Sequence, residues 1–183
     1  MTGLMIDDFR SEEELRAGAR SRVYAVLCEA LSFPDLEQIS AIRDGALSGA
    51  LHATLEIADP GIAASADWDA LREAGADDDE IAVEYTRLFE VGASGPPCAL
   101  YGGLYNDARM KTMEEAVRFY NHFGLTLSED PRELPDHLTT QLEFMHFLAY
   151  KESYSRCHDG ADKTQIVVDA QKKFVKNHIG RWV

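Results

Sequence analysis

In the stretch "LEFMHF", Glu143 and His146 place a carboxylate and an imidazole three residues apart, one helical turn. Di-iron carboxylate sites use that spacing, but they need a second Glu-x-x-His and two further glutamates from neighbouring helices. The chain has no second Glu-x-x-His and no His-Glu-x-x-His. The pair therefore reads as two polar neighbours on a partly exposed helical face. Cys98 lies in "GPPCALYGG" with no base assigned to it by spacing, which favours an inert thiol. Asp136 and His137 are adjacent, and adjacent residues on a helix do not face each other, so they form no acid–base dyad. "YGGLY" matches neither phosphate-loop pattern. No catalytic residue, metal site or cofactor site is expected, and the sequence does not read as an enzyme.

The elements that carry these residues are helical. Ser11 and Glu14 form a capping box, followed by an apolar stripe of Leu15, Ala19, Val23, Val26, Leu27, Ala30 and Leu31 that ends near Pro34. Residues 35–58 read as one or two helices, weakened by Gly45 and Gly49, up to an Asp59-Pro60-Gly61 turn. A short helix is expected over 67–74. The acidic run 77–80 suits a helix start, with Ile81, Tyr85, Leu88 and Phe89 at helical spacing behind it. Met110, Met113, Val117 and Tyr120 mark a helix stopped by Gly124. Pro135 and Asp136 open another, with Leu138, Leu142, Met145 and Ala149 on one stripe, and a last helix covers about 162–178. The fold class expected is all-α, as a single domain over residues 1–183.

Composition narrows the function. Eighteen basic against thirty-two acidic residues give a net charge of −14, which disfavours nucleic acid and anionic lipid. No apolar run approaches the roughly 20 residues of a membrane span, and the acidic N-terminus is unlike a signal peptide. Three scattered cysteines without Cys-x-x-Cys fit a reducing compartment, so the cytoplasm is expected. The binding candidates cluster in "EYTRLFEVGASGPPCALYGGLY": Tyr85, Leu88, Phe89, Pro96, Pro97, Tyr101 and Tyr105, together with Pro135, Asp136 and His137. A proline-stiffened loop loses little freedom on binding. The same residues can instead pack the loop onto the core, and both readings stand at this point.

The aromatic-x-x-Leu-Phe helix end, the Gly/Pro loop and the Pro-Asp-His segment leading into Leu142-Glu143-Phe144-Met145 resemble the TorD/DmsD/NarJ family of molybdoenzyme maturation chaperones. "GPPCALYGGLY" and "RMKTMEEAVRFYNHFGL" are most similar to the branch serving type II dimethyl-sulfoxide-reductase-family enzymes, among them dimethylsulfide and ethylbenzene dehydrogenases and chlorate and selenate reductases. The resemblance implies an all-helical cytoplasmic chaperone, monomer or dimer, whose partner is the apo catalytic subunit of a molybdenum oxidoreductase and its twin-arginine leader. It places Tyr85, Leu88, Phe89, Pro96, Pro97, Pro135, Asp136 and His137 at the leader, and Asp136, with Glu84, is assigned to the arginines. Cys98 stands where many relatives carry serine, so no role of that hydroxyl transfers. The family usually continues past "HIGRWV", which implies that its final helix or helices are missing here. Two other readings remain: a nitrate-reductase-type chaperone gripping the mature apo-subunit, and a metal-dependent helical enzyme at Glu143 and His146.

Overall fold

The structure is a computed structural model that describes residues 11–72, 78–93, 95–105, 109–128 and 133–183. Among them every extended regular element is helical: α1 (Glu12–Ala30), α2 (Leu36–Arg43), α3 (Ala46–Ala58), α4 (Pro60–Ser65), α5 (Trp68–Arg72), α6 (Asp78–Tyr85), α7 (Arg109–His122), α8 (Leu138–His158) and α9 (Ala161–Asn177). The expected all-α class holds. None of these helices is long and apolar enough to cross a membrane.

α1 starts at the expected capping box, with the Ser11 side chain accepting from the Glu14 N–H and Glu14 reaching back to the Ser11 N–H. It packs along α8, which takes α9 on another side, while α3 packs on α1. The α1–α8 seam is close because its residues are small: Ala17, Ser21, Ala149 and Ser153 are all buried. Ser21 donates to the His146 carbonyl at 3.0 Å, and Ser153 to that of Glu14 at 3.1 Å. The His146 ring is spent in the same seam, with Nδ1 2.9 Å from the Ser21 carbonyl. Glu152, nearly inaccessible, ties three helices together. It takes Arg20 of α1 at 2.5 Å, Arg156 of its own helix at 2.9 Å and Gln171 of α9 at 2.8 Å.

The main core lies among α7, α8 and α9, where Phe144 meets Tyr120 (4.9 Å between ring centres) and Phe174 (4.7 Å) edge-on. The four-residue stripe expected on α8 is buried throughout. A second cluster of Leu100, Leu138 and Leu142 joins the loop after α6 to the start of α8, with Tyr85, Phe89 and Trp182 packed on it.

Two expectations need correction. The region 59–61 is a helix start: Asp59 caps α4 through the Gly61 and Ile62 amides, and Pro60 takes the first helical position, where it needs no N–H donor. α8 opens at Leu138, two residues later than Asp136, because His137 is its cap. The segment 35–58 forms two helices, as expected: Gly45, in the left-handed conformation (φ 73°), separates α2 from α3, and Gly49 lies inside α3. The expected acidic helix start begins with Asp77 and the 67–74 helix ends with Ala74, both outside the described residues.

Candidate functional site

Three pieces of chain meet at one end of the bundle: the end of α6, the loop 95–105 and the segment 133–138. α6 runs into a wide turn at Thr86–Glu90 that closes with the Val91 N–H on the Thr86 carbonyl at 3.0 Å. Such i→i+5 turns re-aim side chains relative to a regular helix. Here Leu88, half-buried, gives its carbonyl to the Cys98 N–H at 2.9 Å, which pulls the loop back under α6. Tyr85 donates its hydroxyl to the Leu31 carbonyl, one of the unpaired acceptors at the end of α1, and its ring meets Phe33 and Phe89 edge-on. Burial first, then Glu90 and Glu133, push its phenol up to about 12, so the hydroxyl stays a donor.

The loop then pairs with the chain before α8. Leu138 N–H bonds the Leu100 carbonyl at 2.8 Å and Gly102 N–H the Asp136 carbonyl at 3.0 Å, setting Tyr101 opposite His137. Two glycines make this approach feasible. A Cβ on Gly102 would stand 2.6 Å from Trp182 Nε1, and one on Gly103 would stand 2.7 Å from Asp136 Oδ2. Asp136 is fully buried beneath them. Its Oδ2 accepts from Gly103 N–H at 2.9 Å, its carbonyl also accepts from Gln141 at 3.1 Å, and its Oδ1 has no hydrogen-bond partner. Its carboxylate fixes the loop from below and does not face solvent.

His137 caps α8, accepting the Thr139 N–H on Nδ1 at 3.3 Å, which assigns the ring proton to Nε2. That nitrogen lies 3.9 Å from Glu133 Oε2. Burial pulls the imidazole below its ordinary value, opposed by Glu133 and Asp136. Tyr101 stands edge-on to it at 4.7 Å and donates to Glu133 Oε2 at 2.7 Å. Its phenol is pushed well above the ordinary range by burial and by that bond. Arg109, at the start of α7, sets its guanidinium carbon 5.7 Å from the centre of the Tyr101 ring.

These groups enclose a cleft of about 390 Å³. Of the ten candidates from the sequence, Tyr85, Phe89, Pro96, Tyr101 and His137 line it together. The other five do not. Leu88 and Pro135 are half-buried beside it, Pro97 is exposed on the outer face of the loop, and Asp136 is interior. Tyr105 stacks on Trp182 with 5.3 Å between rings and donates to the Ala99 carbonyl. Glu84 is held by Arg87 through three side-chain hydrogen bonds, the shortest 2.7 Å, and is not part of the lining.

Among the described residues, Glu90, Leu100, Leu104, Arg109 and Glu133 also line it, and the sequence did not single them out individually. Glu90 and the two leucines lie within the stretch singled out. Arg109 and Glu133 carry no local signal, because only the packing of α7 and α8 brings them in. A second cavity of about 730 Å³ lies between the end of α1, residues 125–128 and the first half of α8, and Glu133 lines both. It also holds Glu143, His146 and Cys28. Burial, then Glu143, push the Cys28 thiol up to about 11, which makes it a poor nucleophile.

The model of the family described as "Nitrate reductase delta subunit" matches residues 43–183. The chain belongs to that family. This delta-subunit family member is 32% identical over 169 residues to the perchlorate reductase assembly chaperone protein of Dechloromonas aromatica (strain RCB), covering 90% of this chain and 75% of that one. It is 33% identical over 123 residues to the chlorate reductase assembly chaperone protein of Ideonella dechloratans and 34% over 123 residues to the selenate reductase assembly chaperone protein of Thauera selenatis. Each of those alignments covers 63% of this chain and 63% of the relative, so the chain spans less than two thirds of those two proteins. The family and the branch expected from the loop and the Pro-Asp-His segment are the ones found.

Proposed function

We propose that this delta-subunit family protein is a cytoplasmic maturation chaperone for a molybdenum-cofactor oxidoreductase. It binds the apo catalytic subunit through a twin-arginine leader and delays export until the cofactor is in place. One observation carries the reading: five residues chosen from the sequence as peptide-binding converge on a single cleft whose remaining wall supplies two acids, Glu90 and Glu133. A leader offers guanidinium groups followed by an apolar segment. Tyr85, Phe89, Leu100 and Leu104 suit the apolar part, and the two glutamates suit the cations in place of Asp136 and Glu84. The net charge of −14 adds a long-range field that speeds the encounter and weakens with salt. A second reading is favoured by the neighbouring 730 Å³ cavity, which offers contact area for the mature apo-subunit itself.

The test is calorimetric titration with a synthetic twin-arginine leader, its lysine-lysine version and the Glu133→Gln protein. Glutamine keeps the Tyr101 hydrogen bond and removes the charge. The leader is expected to bind saturably and to lose about tenfold, roughly 1.4 kcal/mol, on Glu133→Gln, the size of one charge-assisted hydrogen bond. Failure of every leader to bind, alongside binding of the apo-subunit lacking it, would transfer the function to the mature chain.

A further inference from the structure

We propose that the Tyr101–Glu133 corner of the cleft is a guanidinium seat, filled in cis by Arg109 and yielded when an arginine of the partner enters. The inference rests on the leader reading above and adds to it a built-in competitor. A planar cation over an aromatic face, with a carboxylate at the edge of that face, is the arrangement by which proteins hold guanidinium. Arg109 stands over Tyr101 at 5.7 Å, and the same phenol hydroxyl is anchored 2.7 Å from Glu133 Oε2. Among the described residues, both polar contacts of Glu133 fall on Oε2, which leaves Oε1 for an incoming donor. His137, edge-on to Tyr101 and kept neutral by burial, does not compete as a cation.

The resident is placed there but weakly held. Its stem lies against Gly103, where a Cβ would come within 2.5 Å of Arg109 Cγ, so a glycine is needed for it to fit. Arg109 is exposed and makes no ion pair with a described residue. It is the first residue of α7, where the positive end of the helix dipole disfavours a cation. A partner arginine arriving from solvent meets the same field, but it can take both the ring face and Oε1, whereas Arg109 takes the ring face. While Arg109 stays in place, the receptor is competent only in the fraction of molecules in which it has swung out, and the apparent affinity falls by that fraction.

The experiment is titration of the wild-type, Arg109→Gln and Arg109→Lys proteins with the twin-arginine leader and its lysine-lysine version, after thermal melts establish that each variant is folded. Removing the resident is expected to tighten the arginine leader about threefold to tenfold and the lysine leader less. Arg109→Lys, which keeps the charge and loses the planar fork, falls between. If Arg109→Gln does not fold, the Arg109→Lys protein decides, and an unchanged or weakened affinity counts against the seat. Wild-type binding with no gain in either variant overturns the seat and leaves the leader reading intact. Binding by none of the three proteins overturns both.

Discussion

Replacing Asp136 separates a structural carboxylate from a recognition carboxylate. The side chain is fully buried, with Oδ2 taking the Gly103 N–H at 2.9 Å and Oδ1 without a partner. Asp136→Ala removes the acceptor and strands that N–H, a loss of about 1–3 kcal/mol, eased by the removal of the unpaired oxygen. For a chain of this length the melting temperature should fall by about 2–4 °C per kcal/mol, or about 2–12 °C. Asp136→Asn keeps an acceptor for Gly103 and exchanges one unpaired polar atom for another, so it should lie within about 1 kcal/mol of wild type. The assay pairs thermal unfolding followed by far-ultraviolet circular dichroism with leader titration. Asp136→Asn should preserve the preference for arginine over lysine leader, and Asp136→Ala should lose stability before it loses that preference. An Asp136→Asn protein with an unchanged melt and no discrimination would refute the argument, because it would place the charge at the arginines despite its burial.

Two further outcomes concern pH and the helix seams. Glu152→Gln should cost about 2 kcal/mol. This is less than the 3–5 kcal/mol of a fully buried pair, because Arg20 and Arg156 keep part of their contact with water. Burial opposes the ionised form, but Gln171 and the two arginines outweigh it and hold this carboxyl below the ordinary range. Its contribution is therefore full above the unfolded carboxylate value and fades as pH falls through the folded one. Denaturant unfolding at pH 7 and pH 3.5 should show the Glu152→Gln deficit shrinking at the lower pH, and a constant deficit would contradict the assignment. His178 acts in a different window. Stacked on Phe174 with Nδ1 unpaired, its imidazole is pulled below the ordinary value by burial, which outweighs Glu115. The unfolded chain thus binds the proton more readily, and stability drops as pH falls below about 6.5 until the folded value is passed. His178→Phe should flatten the melting temperature between pH 7 and pH 5, and an unchanged slope would assign the effect elsewhere.

The helices were legible because their signals are local. The Ser11–Glu14 box and the Leu138, Leu142, Met145, Ala149 stripe lie where the sequence places them. The start of α8 lies two residues past the Pro135–Asp136 opening because the cap is an imidazole acceptor, His137, an uncommon choice. The burial of Asp136 was hidden for a related reason: aspartates are seldom interior, and only the two glycines of a distant loop give this one its donor. The aromatic half of the cleft was visible as composition. Its charged half was not, since Arg109 and Glu133 are placed by tertiary packing alone.

Trp182 lies against Gly102 and stacks on Tyr105, and Ile179 beside it touches both hydrophobic clusters. On the ribosome, Tyr85 and Tyr101 emerge well before the turn that carries Trp182. Closing so long a stretch of chain costs entropy that only the finished contact returns. The order of synthesis thus leaves the loop 95–105 without the Trp182 underside that braces it until α7, α8 and α9 have all been made.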